Sequence, residues 1–299
     1  MPLSIEIRTR QLQVVQTTVT KNRVHYKNTF SVDLEEGWVD AKGIVNQIAV
    51  VFALNQALES RGIKEKKCTL CINNHSVIYR ELLIPKVEDK RIPFIVRSEM
   101  IASLDLTTDH LVDFIILEEV TDGHKTNLRV LAVAIAQKAL GSYVDLCMKL
   151  GLRPDVIDTA TSSVIKLVEK SDLTKAGEPI IVADVEKDVM RLYLFEHKKY
   201  ILIRNTKLNE IEDGKKADWI SDIEDNINKM LQYQFTRESH TGVEKVFFFG
   251  NHPLINEIQD SVKDNLSVET SLYPKPDFLS GGEESYLPYL NAIGAALRK

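Results

Sequence analysis

Ile180-Ile181-Val182-Ala183-Asp184-Val185 decides the fold. Five apolar residues, most of them β-branched, surround one aspartate placed just before the end. Such a run reads as a strand with an acid near its end. Outward from it, Val189–Phe195 and Tyr200–Arg204 read as two further strands. Trp219–Phe235 reads as an amphipathic helix carrying Ile220, Ile223, Ile227, Met230, Leu231 and Phe235 at helical spacing. Lys245-Val246-Phe247-Phe248-Phe249-Gly250 is a second strand of the buried type, ending in glycine. Helix Pro253–Asn265, strand Val268–Tyr273, a loop through Gly281-Gly282 and a last helix Tyr286–Leu297 complete this half.

The N-terminal half opens in the same order. Ile5 and Ile7, then Leu12 and Val14, then Val24, Tyr26, Phe30 and Val32 alternate with polar neighbours. The alternation breaks at Thr9-Arg10 and Lys21-Asn22, which predicts three antiparallel strands. A helix over Ala41–Ser60 follows, with Gly62 as its C-terminal stop. Sliding the chain by 178 positions lays Glu6 on Asp184, Ile7 on Val185, Leu12 on Met190 and Val24 on Leu202. Each copy thus sets an acid near a strand end, then a turn, two strands and a crossover helix. A repeat of that size is a duplicated domain, because solenoid periods are far shorter.

Between the copies lies a stretch of different character. Strands Cys68–Ile72 and Ser76–Ile84, a helix Glu88–Leu104 containing Pro93, strands Leu111–Val120 and Leu128–Ala134, and a helix Gln137–Leu150 predict a β-β-α-β-β-α module. A strand at Asp155–Asp158 and a helix Ala160–Glu169 follow, and the polar stretch Lys170–Pro179 reads as a linker.

Composition narrows the function. A net charge of −5 over 299 residues, without a basic aromatic stretch, argues against nucleic-acid binding. The start carries no secretory signal pattern, and Val130–Ala136 is far shorter than the roughly 20 apolar residues that span a bilayer. Cys68 and Cys71 form a CxxC on a predicted strand, where side chains three apart point to opposite faces, so they read as buried apolar thiols. The seven histidines show no ligand spacing, and no metal site is expected.

An acid-tipped strand and turn, duplicated, with a buried strand ending in glycine, is the layout of the actin-like (ribonuclease H-like) phosphotransferases. There, backbone N–H groups of two turns hold phosphate, and glycine permits the approach. Other segments narrow the likeness. Ser76-Val77-Ile78-Tyr79-Arg80-Glu81-Leu82-Leu83-Ile84-Pro85, Gly151-Leu152-Arg153-Pro154-Asp155-Val156-Ile157-Asp158 and Asn291-Ala292-Ile293-Gly294-Ala295-Ala296-Leu297-Arg298 resemble, in that order, three stretches of the type IV pilus assembly protein PilM family. That family is similar to the cell-division protein FtsA and shares its inserted subdomain. The resemblance implies a first actin-like subdomain at 1–65, an FtsA-type insert at 66–150 and a return to the first subdomain at 151–175. It further implies a second actin-like domain at 176–284 and a C-terminal helix at 285–299 packing back on the first.

The family's phosphate motifs have changed here. Its first turn, Asp-Ile-Gly-Ser, is Glu6-Ile7-Arg8-Thr9; its second, Asp-Ile-Gly, is Asp184-Val185-Glu186; its glycine pair at the adenosine strand is Gly250-Asn251. Side chains therefore stand where backbone amides should meet phosphate, and Glu186 adds a like charge. Arg8 could instead meet phosphate as a cation, or Glu6 and Arg8 could be a solvated strand end. The expectation is a degenerate nucleotide site without ATPase turnover and no resident cofactor, with weak binding of ATP and magnesium as the lesser reading. The resemblance implies a cytoplasmic scaffold of the pilus assembly platform. It would bind the cytoplasmic N-terminal tail of a PilN-like membrane protein in a cleft beside the insert, near Arg80 and Pro85, and meet other platform proteins. Self-association is compatible with it, direct membrane insertion is not implied, and attachment to the inner face of the membrane would run through the partner. A working actin-like ATPase and an FtsA-like filament are the alternatives.

Overall fold

A computed structural model describes residues 2–21, 23–123, 125–173, 177–237, 241–282 and 285–297. The middle of the predicted linker, residues 174–176, and the Arg298 that ends the last quoted stretch lie outside the described residues. The chain forms two compact units, Met1–Thr18 with Phe30–Ala160 and Val19–Thr29 with Thr161–Lys299.

The chain opens with β1 (Leu3–Ile7), β2 (Gln11–Thr20) and β3 (Arg23–Asp33), of which Val19–Thr29 are grouped with the second unit and the rest with the first. A two-residue hairpin pair, β4 (Val39–Asp40) and β5 (Gly43–Ile44), precedes α1 (Gln47–Ser60). Helix α1 therefore starts later than its apolar spacing predicts. Gly43 has φ +100°, and a Cβ there would stand 2.3 Å from Ser142 Oγ, so residues 41–44 turn tightly instead of coiling. Asn46 then caps the helix, its side chain accepting from Ala49 N at 3.2 Å.

Next come β6 (Lys67–Ile72), β7 (Val77–Pro85), a 3-10 turn at Asp89–Arg91, α2 (Ile92–Leu104), β8 (His110–Asp122), β9 (Lys125–Ala136), α3 (Gln137–Lys149) and β10 (Arg153–Thr159). Pro93 sits in the first turn of α2, where its missing N–H costs nothing. The main sheet runs β10-β6-β1-β2-β3, with β1 antiparallel to β2 and parallel to β6. Strands β7, β9 and β8 make a separate antiparallel sheet under α2, with a core of Ile84, Ile92, Val96, Met100, Leu128, Val130, Ala132 and Ala134. The insert's own core thus runs from β7 to β9. Both β6 and α3, which the sequence groups with it, pack into the first unit's main core through Cys68, Leu70, Ile72, Ala139, Tyr143, Leu146 and Cys147. Pairing on both edges, to β1 and to β10, holds β6 in the main sheet.

The second unit continues with α4 (Ala160–Lys170), β11 (Ile180–Val185), β12 (Val189–Glu196), β13 (Lys199–Lys207), α5 (Lys216–Phe235), β14 (Lys245–Gly250), α6 (Ile255–Leu266), β15 (Glu269–Leu272), β16 (Leu279–Gly281), a 3-10 turn at Leu287–Tyr289 and α7 (Leu290–Ala296). Its sheet runs β15-β14-β11-β12-β13, which matches β10-β6-β1-β2-β3 strand for strand. The match extends to residues. Ile7 pairs with Leu12 and Ile72, while Val185 pairs with Met190 and Gly250, each exactly one 178-residue slide later. The Gly281 region, predicted as loop, instead forms β16, parallel to Val24–Tyr26 of β3. Three residues carry no readable periodicity, and the strand exists because Gly281 at φ +117° lets the backbones close: a Cβ would stand 1.9 Å from Tyr26 O.

The short α7 is buried along nearly its whole length. Gly294 lets it lie on α4, since a Cβ there would come within 2.8 Å of Ser163 O, and Lys166 Nζ donates to Leu297 O at 2.7 Å. A Gly294→Val substitution should therefore cost about 2–4 kcal/mol, from overpacking against backbone that cannot yield. Urea unfolding reads the change, and a loss below about 1 kcal/mol would show that α7 shifts freely.

Candidate functional site

The strand-end acids are buried in both units, and neither is a solvated end. Glu6 is fully buried on β1, and Arg8, two residues on and therefore on the same side of the strand, is 5% exposed. Arg8 Nε donates to Glu6 Oε1 at 2.8 Å and Nη2 to Oε2 at 3.0 Å, a two-pronged ion pair. Asn73 Nδ2, from the end of β6, donates to Glu6 Oε1 at 2.6 Å. Two of the guanidinium nitrogens are thus engaged by the carboxylate of its own turn. Arg8 N bonds Gln11 O at 3.0 Å, so the backbone amide at the glycine's place also closes the β1–β2 turn. Thr9 is half-buried in that turn.

Residues after β6 brace this corner. Asn73 N donates to Ile7 O at 2.9 Å, and Asn74 Nδ2 reaches Tyr143 Oη at 3.0 Å. Ser76 Oγ donates to Asn74 Oδ1 at 2.6 Å and lies 3.0 Å from Tyr143 Oη. Burial pushes the Tyr143 phenol above its ordinary value, and the bonds to Ser76 and Asn74 oppose that. The sequence reading missed Asn73, although the 178-residue slide sets it on Asn251.

In the second unit Asp184 is fully buried on β11. Asn291 of α7 donates to Asp184 Oδ2 at 3.0 Å, and Arg191 Nη1 of β12 stands 3.9 Å from the same oxygen. Glu186, 6% exposed, opens the β11–β12 turn, its N–H bonding Val189 O at 2.9 Å. Gly250 has φ +121°, and a Cβ there would stand 2.3 Å from Val185 O. Asn251 N and His252 N both donate to that oxygen, at 3.2 and 3.1 Å. Close packing of β14 on β11 is therefore reason enough for the glycine. His252 stacks on Trp219, with centroids 4.8 Å apart, and its Nδ1 accepts from Leu254 N. Burial, aided by Lys187, lowers its pKa from 6.5 to about 4.

Arg80 and Pro85 are apart from these acids in the sequence pattern and both lie exposed on β7, Pro85 ending that strand. Among the described residues Arg80 makes no side-chain hydrogen bond or ion pair. Cys68 does not face Cys71; it touches Cys147 instead, with the sulfurs 3.5 Å apart. Among the described residues no cluster of three or more His, Cys, Asp or Glu is placed to hold a metal, and no helix is long and apolar enough to cross a membrane.

Arg8→Ala leaves Glu6 buried without its cation and should cost about 3–5 kcal/mol. Replacing both charges, Glu6→Gln with Arg8→Met, should restore most of that loss; additive costs in a double-mutant cycle would refute the pairing. His252 stays neutral when folded, so the unfolded chain binds the extra proton between pH 6.5 and 4. Stability should be unaffected by this group above pH 6.5 and fall as pH drops towards 4. The loss is on the order of 2–3 kcal/mol, absent in His252→Gln, and the difference between the two denaturation profiles reads it.

The comparisons with known proteins bear on this geometry. No curated protein sequence matches the chain. Among solved structures, the PilM-PilN type IV pilus biogenesis complex superposes with a TM-score of 0.82 at 16% identity, over 99% of this chain and 97% of that one. A Bacteroides thetaiotaomicron protein of actin-like ATPase fold and unknown function gives 0.53 at 11% identity, over 90% and 89%. The cytoplasmic domain of EpsL, an inner membrane component of the type II secretion system of Vibrio cholerae, gives 0.51 at 11% identity, over 99% and 95%. At such identities these likenesses establish the actin-like fold. The family model described as type IV pilus assembly protein PilM matches residues 4–210, which takes in β1 through β13 and both acid-tipped turns. The chain belongs to the type IV pilus assembly protein PilM family.

Proposed function

We propose that this chain acts as a non-hydrolysing scaffold of a pilus assembly platform, holding the cytoplasmic tail of a PilN-like membrane protein. The observation that carries the non-hydrolysing half of this reading is the Arg8–Glu6 pair. A phosphate-binding turn needs uncommitted donors and room for an anion. Here the guanidinium that could serve as donor binds a buried carboxylate through two bonds, and freeing it would strand that charge at a cost of several kcal/mol. The second turn adds the buried Glu186, whose like charge opposes an incoming phosphate.

Membership of the PilM family and the likeness to a structure described as a PilM-PilN complex support the partner. On this reading the chain stays on the cytoplasmic side and reaches the membrane through that partner and other platform proteins. Arg80, exposed on β7, is the cation proposed to meet the tail, and Pro85 fixes where the strand ends beside it. The degenerate nucleotide residues Glu6, Arg8, Thr9, Asp184, Glu186, Gly250 and Asn251 keep a structural role.

Two titrations test the proposal. Calorimetry with a non-hydrolysable ATP analogue and magnesium should give no binding heat, and a micromolar isotherm would overturn the loss of the nucleotide site. A peptide copying the PilN-like tail should bind, and Arg80→Glu should weaken it roughly tenfold without changing thermal stability. Absence of peptide binding to the unaltered chain would sink the partner assignment.

A further inference from the structure

We propose that Cys68 and Cys147 form a dithiol pair that closes into a disulfide on oxidation and ties together the two roots of the insert. Cys68 lies on β6, the strand from which the chain enters the module of β7, α2, β8 and β9. Cys147 lies on α3, the helix by which it leaves. The two residues stand 79 positions apart in sequence, yet their sulfurs are 3.5 Å apart. A disulfide needs about 2 Å, so an approach of roughly 1.5 Å closes the bond. Both side chains sit in the first unit's main core, each 1% exposed. Cys71, three residues further along β6, points to the other face of the sheet and is no competitor for Cys147. One buried thiol is an ordinary small apolar residue. Two in contact, one on a strand and one on a helix, are a cross-link site already assembled.

The pair is not symmetric. The sulfur–sulfur hydrogen bond holds the Cys68 thiol below its ordinary value against the effect of burial, while the same bond and burial push Cys147 up. Cys68 is therefore the attacking sulfur and Cys147 the resolving one. With hydrogen peroxide as oxidant, the Cys68 thiolate attacks one oxygen, the O–O bond breaks, and hydroxide leaves a sulfenic acid behind. The Cys147 sulfur then attacks the Cys68 sulfur, the S–S bond forms, and the S–O bond breaks. The two thiols give up two electrons and two protons, and the peroxide becomes two waters. Only local opening of α3 from the sheet admits the oxidant, so closure is slow, and so is its reversal. On the cytoplasmic placement proposed above, where thiols are kept reduced, the bond is a transient one; the link itself does not depend on that placement. The closed loop contains β7, α2, β8 and β9 entire, so the cross-link restrains a long stretch of unfolded chain.

Peptide mapping of the full chain tests this. The folded protein is held with hydrogen peroxide, quenched with an alkylating agent in denaturant, digested without reduction and analysed by mass spectrometry. The expected product has lost two hydrogens and yields one linked peptide joining Cys68 to Cys147, which dithiothreitol separates. The linked chain should unfold at a midpoint roughly 5–10 °C higher than the reduced one. Cys71→Ala should form the same link. Cys147→Ala should form none and should instead carry a sulfenic acid on Cys68, trapped by dimedone. Recovery of both cysteines as alkylated thiols after oxidation of the unaltered chain overturns the proposal. A link that involves Cys71 or joins two chains overturns it as well, and so does sulfenic acid found on Cys71 in place of Cys68.

Discussion

Each half of this molecule places a carboxylate at the end of a central strand that has neighbours on both edges and cover on both faces. Glu6 and Asp184 therefore have no water to solvate them. An isolated charge in that position would cost several kcal/mol or more, comparable to the whole stability of a domain. Both sheets can close only if other parts of the chain deliver compensating donors to the strand tips. For Glu6 these are Arg8 from the following turn and Asn73 from the end of β6. For Asp184 they are Asn291 from α7 and Arg191 from β12. The tips are therefore where strand, turn, neighbouring strand and closing helix are tied together.

Arg8 meets Glu6 with two hydrogen bonds and matched charge, from the turn that follows β1. Position 250 requires glycine because β14 presses its backbone onto Val185 O, which forbids a side chain whether or not nucleotide binds.

The duplicated sheets were legible because their signal is residue-exact. Buried strands of five and six residues, each with an acid one residue before its end, are hard to mistake, and the 178-residue slide carries the β1–β2 and β1–β6 pairings onto β11–β12 and β11–β14. Where the reading failed, the physical signal was absent or non-local. Strand β16 has three residues and depends on Gly281 closing against Tyr26. Strands β4 and β5 have two residues each, and their apolar positions also fit the start of a helix. In the sequence β6 and β7, separated by a short polar turn, look like one hairpin, yet β6 lies in the main sheet and β7 beside β9. The structure separates them through Asn74, Ser76 and Tyr143, a network whose third member is far away in sequence.

The candidate site was legible in its residues and not in its state. Arg8 follows the end of β1 by one residue, so strand alternation carried past Ile7 puts it on the side of Glu6, and that spacing predicts a pair once burial is granted. The pattern cannot show burial at a strand end, since a solvated tip and a buried one share the same letters. Asn291 belongs to the closing segment, but nothing local in the sequence announces that it reaches Asp184. Short, almost wholly buried and seated on α4 through Gly294, α7 has little stability of its own as a helix. It is held by packing and by the carboxylate it satisfies, so the second unit's acid and its last helix stabilise each other.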